Sequence, residues 1–294
     1  MKREHSGLHL LAQSWRAALC SLIVAASLSL TVDGRAGDRI ADEGGHNTVL
    51  PFILNGTKLV VSEPTGRRLT DQDLLGATIV ATGPNGNEGY YRIDHVELDN
   101  EDRDGDIYLY TFSVRENPSL EWRPLCRPDA RGRISGFPLA GSWDEHGNHV
   151  ADGNVTITCL SGVVGKCVRL GYKPWHSHEG KQSMWDFHQA CTRMMRADYC
   201  GNGIAHTRNG TPIDVFDRLG IQKETVQTDM QFEAAWSSDG ATCIVKPRLK
   251  DSSWSLEDLV RQCPERFLKN DGKVAECSPD TEIPKEEALI FNKS

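Results

Sequence analysis

Gln182-Ser183-Met184-Trp185-Asp186-Phe187-His188-Gln189-Ala190-Cys191-Thr192-Arg193-Met194-Met195-Arg196-Ala197-Asp198-Tyr199-Cys200-Gly201-Asn202-Gly203 is the stretch from which the fold of this chain is read. Met184, Phe187/His188, Cys191 and Met194/Met195 recur at the i, i+3/i+4 steps that place side chains on one helical face. The spacing predicts a helix from Gln182 to Ala197. Ser183 stands where an N-cap accepts a backbone hydrogen bond, and Asp186 three positions later gives the start the look of a capping box. Tyr199 and Cys200 are expected to close the helix and Gly201-Asn202-Gly203 to stop it, since glycine tolerates the left-handed conformation at a C-terminus. An apolar stripe bearing a cysteine means a packed, cross-linked helix.

Outward from that helix, cysteine is the next signal. Nine cysteines occur, and Cys20 lies in an expected leader. The others are Cys126, Cys159, Cys167, Cys191, Cys200, Cys243, Cys263 and Cys277. An even set in an exported chain reads as disulfides, although on the order of a hundred pairings are open to eight cysteines. Zinc is the rival reading, but no CxxC pair and no HExxH is present, and structural zinc sites favour such tight ligand pairs.

The segment before the cysteines has a different texture. Lys58–Val61, Ala77–Ala81, Tyr90–Ile93 and Ile107–Val114 are short β-prone runs, separated by turns such as Gly83-Pro84-Asn85-Gly86-Asn87. Tyr108, Tyr110, Phe112 and Val114 alternate with Ile107, Leu109, Thr111 and Ser113, which gives one strongly apolar strand face. The expected class is α+β: a small antiparallel β-rich N-terminal half (residues 47–122) and a Cys-rich half (123–277) with one central helix, stapled by disulfides. A polar tail is expected over 278–294.

At the other end, Lys2, Arg3 and Arg16 precede an uncharged run from Ala17 to Val32. A spanning helix needs about 20 apolar residues, so this shorter run reads as a secretory signal peptide rather than an anchor. Gly34-Arg35-Ala36 offers small residues for cleavage, which gives a leader of residues 1–36 and a globular domain of 37–277. The chain is then secreted or periplasmic, with no membrane attachment once the leader is gone. Its formal charge of −8 over 294 residues argues against nucleic acid or an anionic membrane surface as partner.

Several motifs then add up to a resemblance. Gly165-Lys166-Cys167, Gly171-Tyr172-Lys173-Pro174-Trp175, His188-Gln189-Ala190-Cys191 and Met194 to Gly203 are similar to the bacterial ADYC domain, which takes its name from the tetrad here at Ala197-Asp198-Tyr199-Cys200. Pro124-Leu125-Cys126, Gly141-Ser142-Trp143-Asp144 and Thr211-Pro212-Ile213-Asp214 also resemble family positions, so the likeness spans roughly residues 50–250. It implies an exported domain of unestablished biochemical function and supplies no catalytic residues.

Common catalytic signatures are missing: there is no GxSxG elbow, and Gly162 to Cys167 lacks the phosphate-loop spacing. A polar group remains, in which His176, His188 and Asp198 are the catalytic candidates for an exported, metal-dependent or metal-free hydrolase. His188 and Asp198 are ten residues apart, about 15 Å along a straight helix, so they meet only if loops bring other groups to them. Asn100, Asp102, Asp104 and Asp106 alternate around Gly105 and partly match a calcium loop, without the final glutamate. The same run also reads as an acidic hairpin tip. The favoured expectation is a disulfide-stabilised binding or structural module with a protein or glycan ligand and no cofactor. It would present loops around Pro174-Trp175-His176.

Overall fold

The computed structural model describes residues 31–32, 39–41, 51–82, 88–178, 182–226, 229–249, 254–268, 277 and 288–294. The expected leader otherwise falls outside the described residues, as do the turn at 83–87 and residues 278–287 of the expected tail.

All four β-prone runs are strands, at Lys58–Ser62, Thr78–Thr82, Glu88–Leu98 and Tyr108–Arg115. The last three belong to an eight-stranded antiparallel sheet. Its order is Thr31–Val32, His149–Cys159, Ser135–Trp143, Tyr108–Arg115, Glu88–Leu98, Thr78–Thr82 and Arg39–Ala41, with Arg123–Pro124 pairing beside Tyr108–Arg115. The boundary expected at residue 122 is therefore no break. Ser135–Trp143 and His149–Cys159 lie beyond it yet complete the first sheet, because Ser135 and Gly136 pair with Thr111 and Tyr110. Tyr110, Phe112 and Val114 are buried as the alternation requires, but so are Ile107 and Leu109. A strand paired on both edges and covered on both sides hides both sets of side chains. Phe52–Asn55, Lys58–Ser62 and Arg68–Leu69 form a three-stranded sheet whose Leu59 and Val61 join the same core.

The Cys-rich part holds helix α1 (Val163–Arg169), helix α2 (Met184–Arg196) and helix α3 (Leu256–Gln262). It also has a sheet of its own, in the antiparallel order Asp214–Asp217, Ile290–Lys293, Phe232–Ser237, Gly240–Ile244. This corrects the expected polar tail. Ile290–Lys293 is an interior strand, and Ala288, Ile290 and Asn292 are fully buried. The alternation of Ile290 and Asn292 with Phe291 and Lys293 puts one polar side chain into the core, where it finds partners.

Four disulfides join Cys126 to Cys159, Cys167 to Cys191, Cys200 to Cys263 and Cys243 to Cys277. The first pins the sheet end, the second ties α1 to α2, and the third ties the segment after α2 to the end of α3. The chain is thus α+β, rich in antiparallel sheet and cross-linked from Cys126 onward.

Candidate functional site

Helix α2 begins as expected and ends differently. Ser183 accepts a hydrogen bond from Trp185 N at 3.2 Å, but Asp186 does not complete a capping box and is exposed. Burial of its surroundings and the nearby charge of Asp239 push the Asp186 carboxyl above its ordinary value. The helix stops at Arg196, because Ala197 adopts the left-handed conformation with φ 51°. Ala197 N then bonds to Met194 O at 3.0 Å and Asp198 N to Arg193 O at 2.9 Å, the paired closure of a Schellman turn. Tyr199 and Cys200 lie past the helix, and Gly201 serves another purpose. A Cβ on Gly201 would sit 1.8 Å from Asp239 O, so glycine is what lets this turn press backbone to backbone on the Asp239-Gly240 turn.

Each residue of the tetrad is engaged by the fold. Ala197 is wholly buried in the second core. Asp198, with no exposed surface, accepts from Arg193 Nη1 at 2.5 Å, Gly203 N at 2.9 Å and Asn202 N at 3.1 Å. Arg193 spends its other donors on His146 O at 2.6 Å, Ser238 O at 3.2 Å and Asn148 Oδ1, so one buried guanidinium gathers three loops. Tyr199 donates to Glu233 Oε1 at 2.8 Å, accepts from Arg248 N at 2.8 Å, and stacks on Trp236 at 5.2 Å. Burial and the adjacent Glu233 charge hold the Tyr199 phenol well above its ordinary pKa, so it is a neutral donor. Cys200 is in a disulfide.

Glu233 is the centre of this network. Arg248 Nη1 reaches its two oxygens at 2.8 and 2.7 Å, and Asn292 Nδ2 donates to Oε2 at 2.8 Å. Asn292 Oδ1 in turn accepts from Trp236 Nε1 at 2.8 Å, and Arg248 Nη2 reaches Met194 O at the end of α2. A charge removed from water is tolerable only when paired and hydrogen-bonded to this extent. Sequence reasoning did not single out Glu233 or Arg248. A lone glutamate within Phe232-Glu233-Ala234-Ala235-Trp236 is the signal that could have drawn attention to the first.

The three catalytic candidates fall in separate environments. His188 is fully buried, and its Nε2 must be the protonated nitrogen because its partner at 3.1 Å is the Val164 carbonyl. Trp143 and Trp185 pack their rings at 6.1 and 5.8 Å from it, and burial pushes the imidazole down to about 4. His188 Nδ1 has no hydrogen-bond partner among the described residues. Asp198 is held by Arg193, and no hydrogen bond joins it to His188. His176 is exposed and pairs through Nε2 with Asp106 Oδ2 at 2.6 Å. These side chains do not converge on one another.

The acidic run forms a second cluster. Lys173 Nζ lies 2.6 Å from Asp102 Oδ1, 2.7 Å from Asp104 Oδ2 and 2.5 Å from Asp106 Oδ1. Asn100 is not among its partners. Trp175 Nε1 donates to Asp106 Oδ2 at 2.7 Å, and the Trp175 ring covers Gly56, where a Cβ would come within 3.0 Å. Of the expected presenting element Pro174-Trp175-His176, then, only His176 is exposed. Burial pushes the Asp106 carboxyl up, but hydrogen bonds from Lys173, Trp175 and His176 outweigh it and bring it down to about 2. Asp104, Asp106 and His176 each offer an atom able to ligate a metal, all within 4.8 Å of one another.

Among the described residues, no helix is long and apolar enough to cross a membrane. No curated protein and no solved structure matches the chain. The family model of the ADYC domain matches residues 71–250, a span that holds the tetrad, the acidic run, Lys173 and Glu233. The chain therefore belongs to the ADYC domain family.

Proposed function

We propose that the protein is an extracytoplasmic binding or structural module, exported by its N-terminal segment and stabilised by cystines, with a protein or glycan ligand. The observation that carries this reading is the complete engagement of the tetrad. Asp198 and Tyr199 are buried and saturated by Arg193, Glu233 and backbone groups, and the Cys200 sulfur is taken up in a disulfide. A catalytic group needs access to substrate and a partner within hydrogen-bond reach. His188 is fully buried and its one hydrogen-bond partner among the described residues is the Val164 carbonyl, and His176 and Asp198 belong to different clusters. The four disulfides support an oxidising compartment, where such cross-links persist.

The test is a screen of the oxidised protein against chromogenic esters, phosphates and glycosides, with and without zinc, beside His188→Gln and Asp198→Asn. The expected result is no turnover above background, and a lower melting temperature for Asp198→Asn. Turnover abolished by His188→Gln at unchanged melting temperature would replace the module with a hydrolase. Export is tested by fusing residues 1–46 to a phosphatase that is active only outside the cytoplasm.

A further inference from the structure

The loop from Asp99 to Asp106 has the geometry of a cation site. Gly105, at φ 67°, makes the sharp turn, and Asp102, Asp104 and Asp106 aim oxygens at one point. Their remaining oxygens are partly fixed too: Asp102 Oδ2 accepts from Asp106 N at 2.9 Å and Ile107 N at 3.1 Å. The point of convergence is Lys173 Nζ, on a side chain only 1% exposed. An ammonium has three donors and no acceptor, so three carboxylates saturate it. Burial alone would lower the Lys173 pKa, but its bonds to Asp102, Asp104 and Asp106 raise it above the ordinary lysine value, so the group is charged.

We propose that Lys173 is a tethered counter-ion, which holds this acidic loop in a cation-bound shape without a metal and thereby fastens the Glu88–Leu98/Tyr108–Arg115 connection to the segment leading into α2. Hard cations such as calcium gather carboxylates around a turn glycine in the same manner. Here the cation is covalently part of the chain, so its binding is intramolecular and does not depend on the concentration of ions in solution. An external divalent ion would have to expel a buried ammonium and leave it unpaired, which is strongly unfavourable. Without the lysine, three carboxylates and His176 would surround a site that a divalent cation can satisfy.

The experiment compares wild type with Lys173→Met by thermal melting in EDTA, in millimolar calcium and in millimolar magnesium, with calcium binding followed by equilibrium dialysis. Wild type is expected to melt at the same temperature in all three and to bind no calcium. Lys173→Met is expected to lose several degrees in EDTA, to regain most of them in calcium, and to bind one ion. Should the variant fail to fold in EDTA, refolding in calcium gives the same readout. A variant that melts like wild type in EDTA, a loss that neither ion restores, or a wild type stabilised by calcium would each overturn the proposal.

Discussion

Ala197 occupies a backbone conformation that an L-residue enters at a cost of about 1–2 kcal/mol, yet its methyl group is wholly buried. The two contributions oppose each other when it is replaced. Ala197→Gly relieves the backbone and removes a buried methyl worth about 0.8 kcal/mol, so denaturant unfolding is expected to shift by less than about 1 kcal/mol. Ala197→Val adds a branched side chain to the left-handed backbone and is expected to lose about 3 kcal/mol or more. Gly201 offers no such balance. Its Cβ would overlap Asp239 O, so Gly201→Ala has to separate two turns, with an expected loss of about 2–4 kcal/mol. His188 adds a pH dependence. Unfolded, its imidazole takes up a proton near pH 6.5; folded, it does so only near 4. The native state therefore binds fewer protons in that interval, and stability falls as pH drops from 6.5 towards 4, by on the order of 3 kcal/mol. His149, lowered by burial as well, acts in the same direction. His188→Gln should flatten this limb in melting curves taken between pH 7 and 4.

At the level of elements, α2 is held by a disulfide near its middle and a polar network at its end. Cys191 is bonded to Cys167 of α1, and the segment after α2 is bonded through Cys200 to Cys263, 63 positions away. Closing the longer loop restricts the unfolded chain more, so Cys200→Ser with Cys263→Ser is expected to cost about 4 kcal/mol in thermal unfolding. The start of α2 was legible, because Ser183 and the apolar stripe act locally. Its end was not. Gly201, five positions past Arg196, looked like the stop, whereas the turn is made by an alanine whose strain is offset by burial in a core that sequence does not display. The acidic run shows a similar split. Asp102, Asp104 and Asp106 were visible as a cation loop, but their cation lies 67–71 positions away, and nothing local connects them. The strand Ile290–Lys293 was missed because polar neighbours surround it and its worth lies in the pairing of Asn292 with Glu233 and Trp236.

Across the whole molecule, the two large sheets differ in how they close. The eight-stranded sheet grows mostly by neighbouring antiparallel pairs, whereas the four-stranded one inserts Ile290–Lys293 between Asp214–Asp217 and Phe232–Ser237. Deleting residues 288–294 would expose two strand edges and strip Glu233 and Trp236 of the Asn292 side chain. The expected outcome is loss of cooperative unfolding for the C-terminal part, read by hydrogen exchange, with protection retained in the first sheet. That interior strand also sets an order of events during vectorial synthesis. Most of the larger sheet can assemble while later residues are still being made, but the smaller one has to wait for the asparagine that bridges its buried glutamate and tryptophan. Until then, the cysteines around it meet in an unfinished scaffold, where an oxidase can join the wrong pair and an isomerase has something to correct.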